Sequence, residues 1–248
     1  MFMRDDVFEI LKSWIEERTY SRPELNDLIY RLYPGYNEAS CNWIIGELCA
    51  RAAIAPIGNG YFVPAKKDWA FSLPDKQEKT LETLRKEFPY SSFSVASSTV
   101  IDGLMGQESS MEYLLLQVGK HDLFPCYMRL RELSKQEVLI SPTSRELSFY
   151  LRPKSIIVTP LFSKSPCQKD GHITIEKLLV DLFAERLFKS LYVYDVNKEI
   201  LSKTISEYNV NIITCLNYAK RRRCYQEIKE LLMEATPSYY WKHFEENL

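Results

Sequence analysis

Lys220-Arg221-Arg222-Arg223 is the only concentrated positive charge in a chain of 248 residues with a formal net charge of −1. Adjacent cations suit phosphate, because each neutralised phosphate releases condensed counterions. Successive helical residues fan out by about 100°, so only two or three of the four can face one ligand. A solvated helix end explains the same letters. A second set lies earlier: Asn37, Ser40 and Asn42, then Asn59 in a Gly-Asn-Gly tip, then Lys66 and Lys67. Asn can pair bidentately with adenine, and Ser can contact base or phosphate. The plainer reading makes Asn37 a helix cap and Asn42 a solvated polar residue.

Catalytic patterns are missing. There is no GxxxxGK[ST], GxSxG or HExxH. Ser97-Ser98-Thr99 has no adjacent His or Lys to activate it and suits a helix start. The run from Glu112 to Lys120 lacks the acid-x-Lys spacing of a metal-dependent nuclease. Glu176 and Asp181 are five residues apart and are expected to pair with Lys177 on a surface. The expectation is a protein that is not an enzyme and uses no metal or cofactor. Six cysteines (41, 49, 126, 167, 215, 224) include no CxxC pair, which suits reduced thiols in a cytoplasmic protein. No apolar run approaches the ~20 residues of a membrane span. The opening MFMRDDVFEIL carries acids where a signal peptide carries bases.

The elements that would position these residues follow from periodicity. Val7, Ile10, Leu11, Trp14 and Ile15 form an amphipathic stripe over 5–17. Ser21 and Glu24 frame a capping box with Pro23 in the first turn, opening a helix that Pro34-Gly35 ends. Asn37 can cap a third helix, with Cys41, Ile45 and Leu48 apolar and Trp43 and Ile44 flanking. "IAPIGNGYFVP" (54–64) follows at once: two short apolar runs around an Asn-Gly that supplies positive φ for a hairpin. Three helices and a hairpin are the order of a winged helix-turn-helix, with the hairpin as wing against the third helix. Such a domain lays that helix in the major groove. Residues 1–67 hold eight basic against nine acidic side chains, whereas a DNA reader usually shows a basic face. Winged helices also dock proteins, and that alternative stands beside DNA binding.

A linker is expected over 68–76. Beyond it, over 77–248, "SSFSVA", "MEYLLLQVG", "QEVLIS" and "SIIVTPLF" predict strands separated by helices, a sheet covered on both faces. "TIEKLLVDLFAE" predicts a helix with Ile175, Leu178, Leu179, Leu182 and Phe183 inward and Lys177 and Asp181 outward. Helices over 196–207 and 211–234 follow. The fold class is α+β: a winged helix-turn-helix, then a mixed sheet-and-helix unit ending in helices.

"EFPYSSFSVASSTVIDGLM", "YLLLQV", "EVLISPTSRELSFYL", "SIIVTPLFSKSPC", "GHITIEKLLVDLFAE" and "SEYNVNIITCLNYAKRRR" together resemble the AbiEi-type antitoxins. These are bacterial transcriptional regulators of type IV (abortive-infection) toxin–antitoxin systems. The most specific pieces are Pro160-Leu161, the "TIEKLLVDL" helix and Tyr218 to Arg222. The resemblance implies a winged helix that binds double-stranded DNA upstream of its own operon, commonly at inverted repeats. It also implies a second domain that assists repression and counters a nucleotidyltransferase toxin. Members often carry bases in the recognition helix and wing; the matching positions here hold Ser40, Asn42, Ile44 and Gly58-Asn59-Gly60.

Overall fold

A computed structural model describes residues 3–106 and 111–241. The first part comprises α1 (Asp5–Ser13), β1 (Tyr20–Ser21), α2 (Arg22–Leu32), α3 (Glu38–Ala50), β2 (Ile54–Gly58) and β3 (Tyr61–Pro64). Ser21 caps α2 by accepting from Glu24 N, while the Glu24 carboxylate accepts from Ser21 N at 2.7 Å. Asn59 and Gly60 take φ of 50° and 76°, the left-handed conformations a two-residue hairpin turn demands. The ribbon is not two-stranded as expected. Tyr20 and Ser21 pair antiparallel with Phe62 and Tyr61, giving the order β1-β3-β2. This is the winged-helix arrangement.

Phe8, Leu11, Leu25, Ile29, Ile44, Ile45 and Leu48 build one small core beneath it. Trp14, on the expected apolar stripe, packs half-buried on its edge, as does Leu28. The first helix stops at Ser13 and not near Glu17; its buried residues are Phe8 and Leu11, and Ile10 of the expected stripe is exposed. Ile44 is buried and unavailable for reading a base.

The Glu24 carboxyl gives a direct check on α2. Burial alone would raise it, but the Ser21 N–H and hydroxyl and the Arg18 guanidinium outweigh that and hold it down to about 2. The box's contribution is therefore complete above the ordinary 4.5 and disappears as pH falls through about 2. A carboxyl NMR titration is expected to find Glu24 near that lower value; a midpoint at the ordinary one would mean the box is open in solution.

The second part runs α4 (Asp75–Glu87), β4 (Phe93–Ser97), α5 (Ser98–Met105), β5 (Tyr113–Val118), α6 (Leu123–Leu133), β6 (Val138–Ile140), α7 (Ser144–Tyr150) and β7 (Ser155–Pro160). Helices α8 (Ile175–Ala184), α9 (Arg186–Leu191), α10 (Tyr194–Glu207), α11 (Ile212–Arg222) and α12 (Tyr225–Ala235) close it, with a 3-10 turn at Ser238–Tyr240. The molecule is thus α+β. The sheet order is β4-β5-β7-β6, with β4 antiparallel to β5 and the other pairs parallel. Alternate residues face two cores: Leu114, Leu116 and Val118 meet α4 and α6, while Tyr113 and Leu115 meet the later helices. Both faces being covered explains why all of β5 is buried. The helix expected over 211–234 is two helices, because Arg223 takes a left-handed φ of 60° at the end of α11. Ser97 stands at the start of α5 but makes no side-chain cap bond there.

The two parts are stitched together. Lys67 N donates to Glu207 O at 3.1 Å and Asn209 N donates to Lys67 O at 2.8 Å. The Asn209 side chain brackets Lys66, accepting from its N at 2.7 Å and donating to its O at 3.0 Å. Within the stretch expected as a linker, Trp69 lies edge-on to Tyr208 and Leu73 is buried in the α4–α6 core. Ile57 and Val63, on the inner face of the wing, belong to the core of the C-terminal helices. Gly58, at φ +111°, lies so close to α11 that an added Cβ would meet Ile213 Cβ at 2.4 Å.

Candidate functional site

The outward face of α3 carries Glu38, Ala39, Asn42 and Gly46, all exposed. Asn37 precedes it and caps it, accepting from Ser40 N at 2.9 Å and from Ser40 Oγ at 3.0 Å. Both side chains are therefore committed to the cap. Asn42 is held differently: its Oδ1 accepts from the Arg22 guanidinium, which also lies 5.6 Å from the Phe62 ring centre. Arg22 was not singled out in the sequence because it lies one helix earlier. Fold topology brings it beside Asn42, and its exposed charge offsets Glu38 on that face.

At the wing, Asn59 is exposed at the tip. Lys67 is exposed just beyond, but Lys66 is turned inward. Its Nζ donates to Ile205 O at 2.6 Å, and burial pushes the ammonium below its ordinary value. Lys66 is a strut between the two parts and is removed from the phosphate-contact set.

The basic run divides in the same way. Lys220, Arg221 and Arg223 are exposed, while the Arg222 side chain is only 4% exposed. Its Nη1 donates to Asp181 Oδ1 at 2.9 Å and its Nη2 to Glu185 Oε2 at 3.2 Å, and its guanidinium stacks 4.2 Å from Phe162. Lys177 and Asp181, expected on an outer face, are fully buried and paired with each other one helical turn apart. Tyr218 Oη donates to Asp181 Oδ1 at 2.9 Å and accepts from Lys177 Nζ at 3.1 Å. Gln117 Nε2 completes the network, donating to Glu185 Oε2 at 3.1 Å.

Burial would push the Lys177 ammonium down, but Asp181 and Tyr218 outweigh it and hold it above its ordinary value. Burial first, then repulsion by Asp181, raises Glu185 despite Arg222. Burial and Asp181 likewise raise the Tyr218 phenol. Two cations thus oppose two carboxylates in a closed interior, an arrangement that fixes α8 to α11 and does not present a nucleophile. The outward assignment of Lys177 and Asp181 failed because α8 is covered on nearly every side. The available signal was an i, i+4 Lys–Asp pair inside an otherwise apolar helix, matched by Tyr218 and Arg222 at the same spacing on α11. "TIEKLLVDL", "PLFS" and "YAKRR" meet in this one place.

Outside the network lies an open cleft of about 610 Å³, lined by Lys164, Pro166, Thr214, Asn217, Tyr218, Lys220 and Arg221. Three cations and no acid border it. Thr214, Asn217 and Arg221 share one face of α11 at i, i+3 and i+7. Ile213, the residue against Gly58 of the wing, lies in the first turn of that helix, so the polar row continues outward from the wing.

Among the described residues, no group of three or more His, Cys, Asp and Glu could hold a metal ion, and all six cysteines are free. No described helix is long and apolar enough to cross a membrane. No curated protein matches the chain. A family model, described as a family of unknown function (DUF6577), matches residues 40–238. That span takes in nearly all of α3, the wing, the seam between the two parts and every residue of the buried network, and the chain belongs to the DUF6577 family.

Proposed function

We propose that the chain is a double-stranded-DNA-binding transcriptional regulator of the antitoxin kind its sequence resembles. In this reading it acts on DNA upstream of its own operon and counters a nucleotidyltransferase-type toxin without catalysis of its own. The observation that supports it most is the uncovered outer face of α3, where Asn42 and Arg22 stand together, in a winged helix whose wing leads into the cation-lined row on α11. Asn42 supplies the base contact, Arg22 orients it and meets phosphate, and Lys220 and Arg221 add backbone contacts from the second part.

Fluorescence anisotropy on the native upstream duplex and on a scrambled one tests this. Asn42→Ala is expected to lose about 1–3 kcal/mol on the specific duplex and little on the scrambled one. Lys220→Ala with Arg221→Ala is expected to weaken both equally and to flatten the salt dependence by about 0.9 per lost contact. Arg222 is left in place because it is part of the interior. Equal salt slopes would return the exposed cations to ordinary surface charge.

The near-neutral α3 face favours a second reading, in which the winged helix docks protein. Failure of the native chain to bind the upstream duplex at low salt would select it.

A further inference from the structure

A second cleft, of about 560 Å³, is bordered by Arg222 and opens where β6 and β7 end. The carboxyl ends of parallel strands are where open α/β sheets place small ligands, and this volume is within the range of small-molecule pockets. Leu147, Ile157 and Leu187 give it an apolar floor. Arg186, Lys189 and Arg222 line it, against a single acid, Glu185, whose carboxylate is already engaged by Arg222 and Gln117. Arg186 spends one donor on Pro142 O at 2.7 Å and retains its others.

Two further observations point to a ligand. Thr159, at the end of β7, is 8% exposed, and its Oγ1 has no hydrogen-bond partner within the protein. A buried hydroxyl left unpaired is costly, and since this oxygen is closed off from solvent, a ligand atom would relieve it by shifting the side chains that cover the floor. Phe162 rests on the Arg222 guanidinium at 4.2 Å and is still 44% exposed, so aromatic surface remains free to stack at the mouth.

We propose that this cleft binds a small anion carrying a planar ring, with the ring against Phe162, the phosphate or carboxylate on Arg186 and Lys189, and a polar ring atom toward Thr159. The site stands apart from the α3 face and does not depend on DNA binding. Adenosine monophosphate and benzoate represent the two sources of that chemistry.

Calorimetric titration of the full chain with each probe, with adenosine and with inorganic phosphate tests it. At least one of the two ring-bearing anions is expected to bind saturably, and phosphate alone, or adenosine in the nucleotide case, about tenfold or more weaker. Lys189→Ala is expected to weaken binding about tenfold, the usual size of a lost charge-assisted bond. Thr159→Val separates fold from site: it is expected to raise the melting temperature of the free chain while weakening the ligand. The proposal is overturned if neither anion binds up to millimolar concentration, if Lys189→Ala and Phe162→Leu bind as the native chain does, or if inorganic phosphate binds as well as the ringed anions.

Discussion

Asp181→Ala is expected to cost about 3–5 kcal/mol of folding stability, the usual result of stripping one partner from a buried ion pair. Lys177 is fully buried and would be left with a tyrosine hydroxyl as its only neighbour in the network. Arg222 would lose its Asp181 bond as well and keep Glu185. One buried ammonium deprived of its only counterion, and a second cation left with one of two, outweigh any gain in chain entropy. Arg222→Ala is expected to cost less, because Lys177 and Tyr218 still satisfy Asp181. Urea denaturation of both variants measures the difference. The double change Lys177→Met with Asp181→Leu is the informative companion, since apolar replacement of a whole buried pair is often neutral or stabilising. A single-variant cost below about 1 kcal/mol would mean that water reaches the network, as surface pairs contribute only that much.

Gly58→Val is expected to lose about 2–6 kcal/mol, from two sources with different remedies. A φ of +111° suits glycine and strains any side chain, a strain of about 1–3 kcal/mol. The added Cβ would also overlap Ile213, 2.4 Å away, and such overpacking costs about 1–3 kcal/mol. Ile213→Gly removes most of the second term, because the overlap includes the Ile213 Cβ itself, and leaves the first. In an Ile213→Gly background, Gly58→Ala is therefore expected still to cost about 1–3 kcal/mol. Equal stability of Gly58→Val and the native chain would mean that the wing and α11 separate in solution. Limited proteolysis across 65–74 would then show faster cleavage of the native chain than its seam allows.

The local features were legible because they are encoded by a few adjacent residues. The Ser21–Glu24 box and the Asn59-Gly60 turn each depend on side-chain chemistry within four positions. The strands of the second part could be read from continuous apolar runs, since a sheet covered twice needs no alternation. What escaped was decided at a distance. Lys177 and Asp181 look outward on a helical wheel, and only the arrival of Tyr218 and Arg222 from α11 makes their burial tolerable. Lys66 looks like a wing cation until Ile205 O accepts from it. Arg22 became a candidate only when α2 and α3 were set beside each other. The break after Arg222 carried no glycine to announce it.

The seam between wing and helices has a consequence for synthesis. Lys66 and Asn209, which hold it closed, are 143 residues apart. At about 5–20 residues per second on the ribosome, the second half of the seam follows the first by roughly 7–30 s. The winged helix can form its own core at once, but Ile57 and Val63 must wait for α10 and α11 to cover them. During that interval the newborn domain carries a bare apolar ribbon, the kind of surface on which nascent chains stick to one another. Its outermost strand, β2, contains Pro56, which has no N–H to offer a neighbouring chain. A residue that does little for the finished fold thus guards the ribbon while the rest of the protein is still being made.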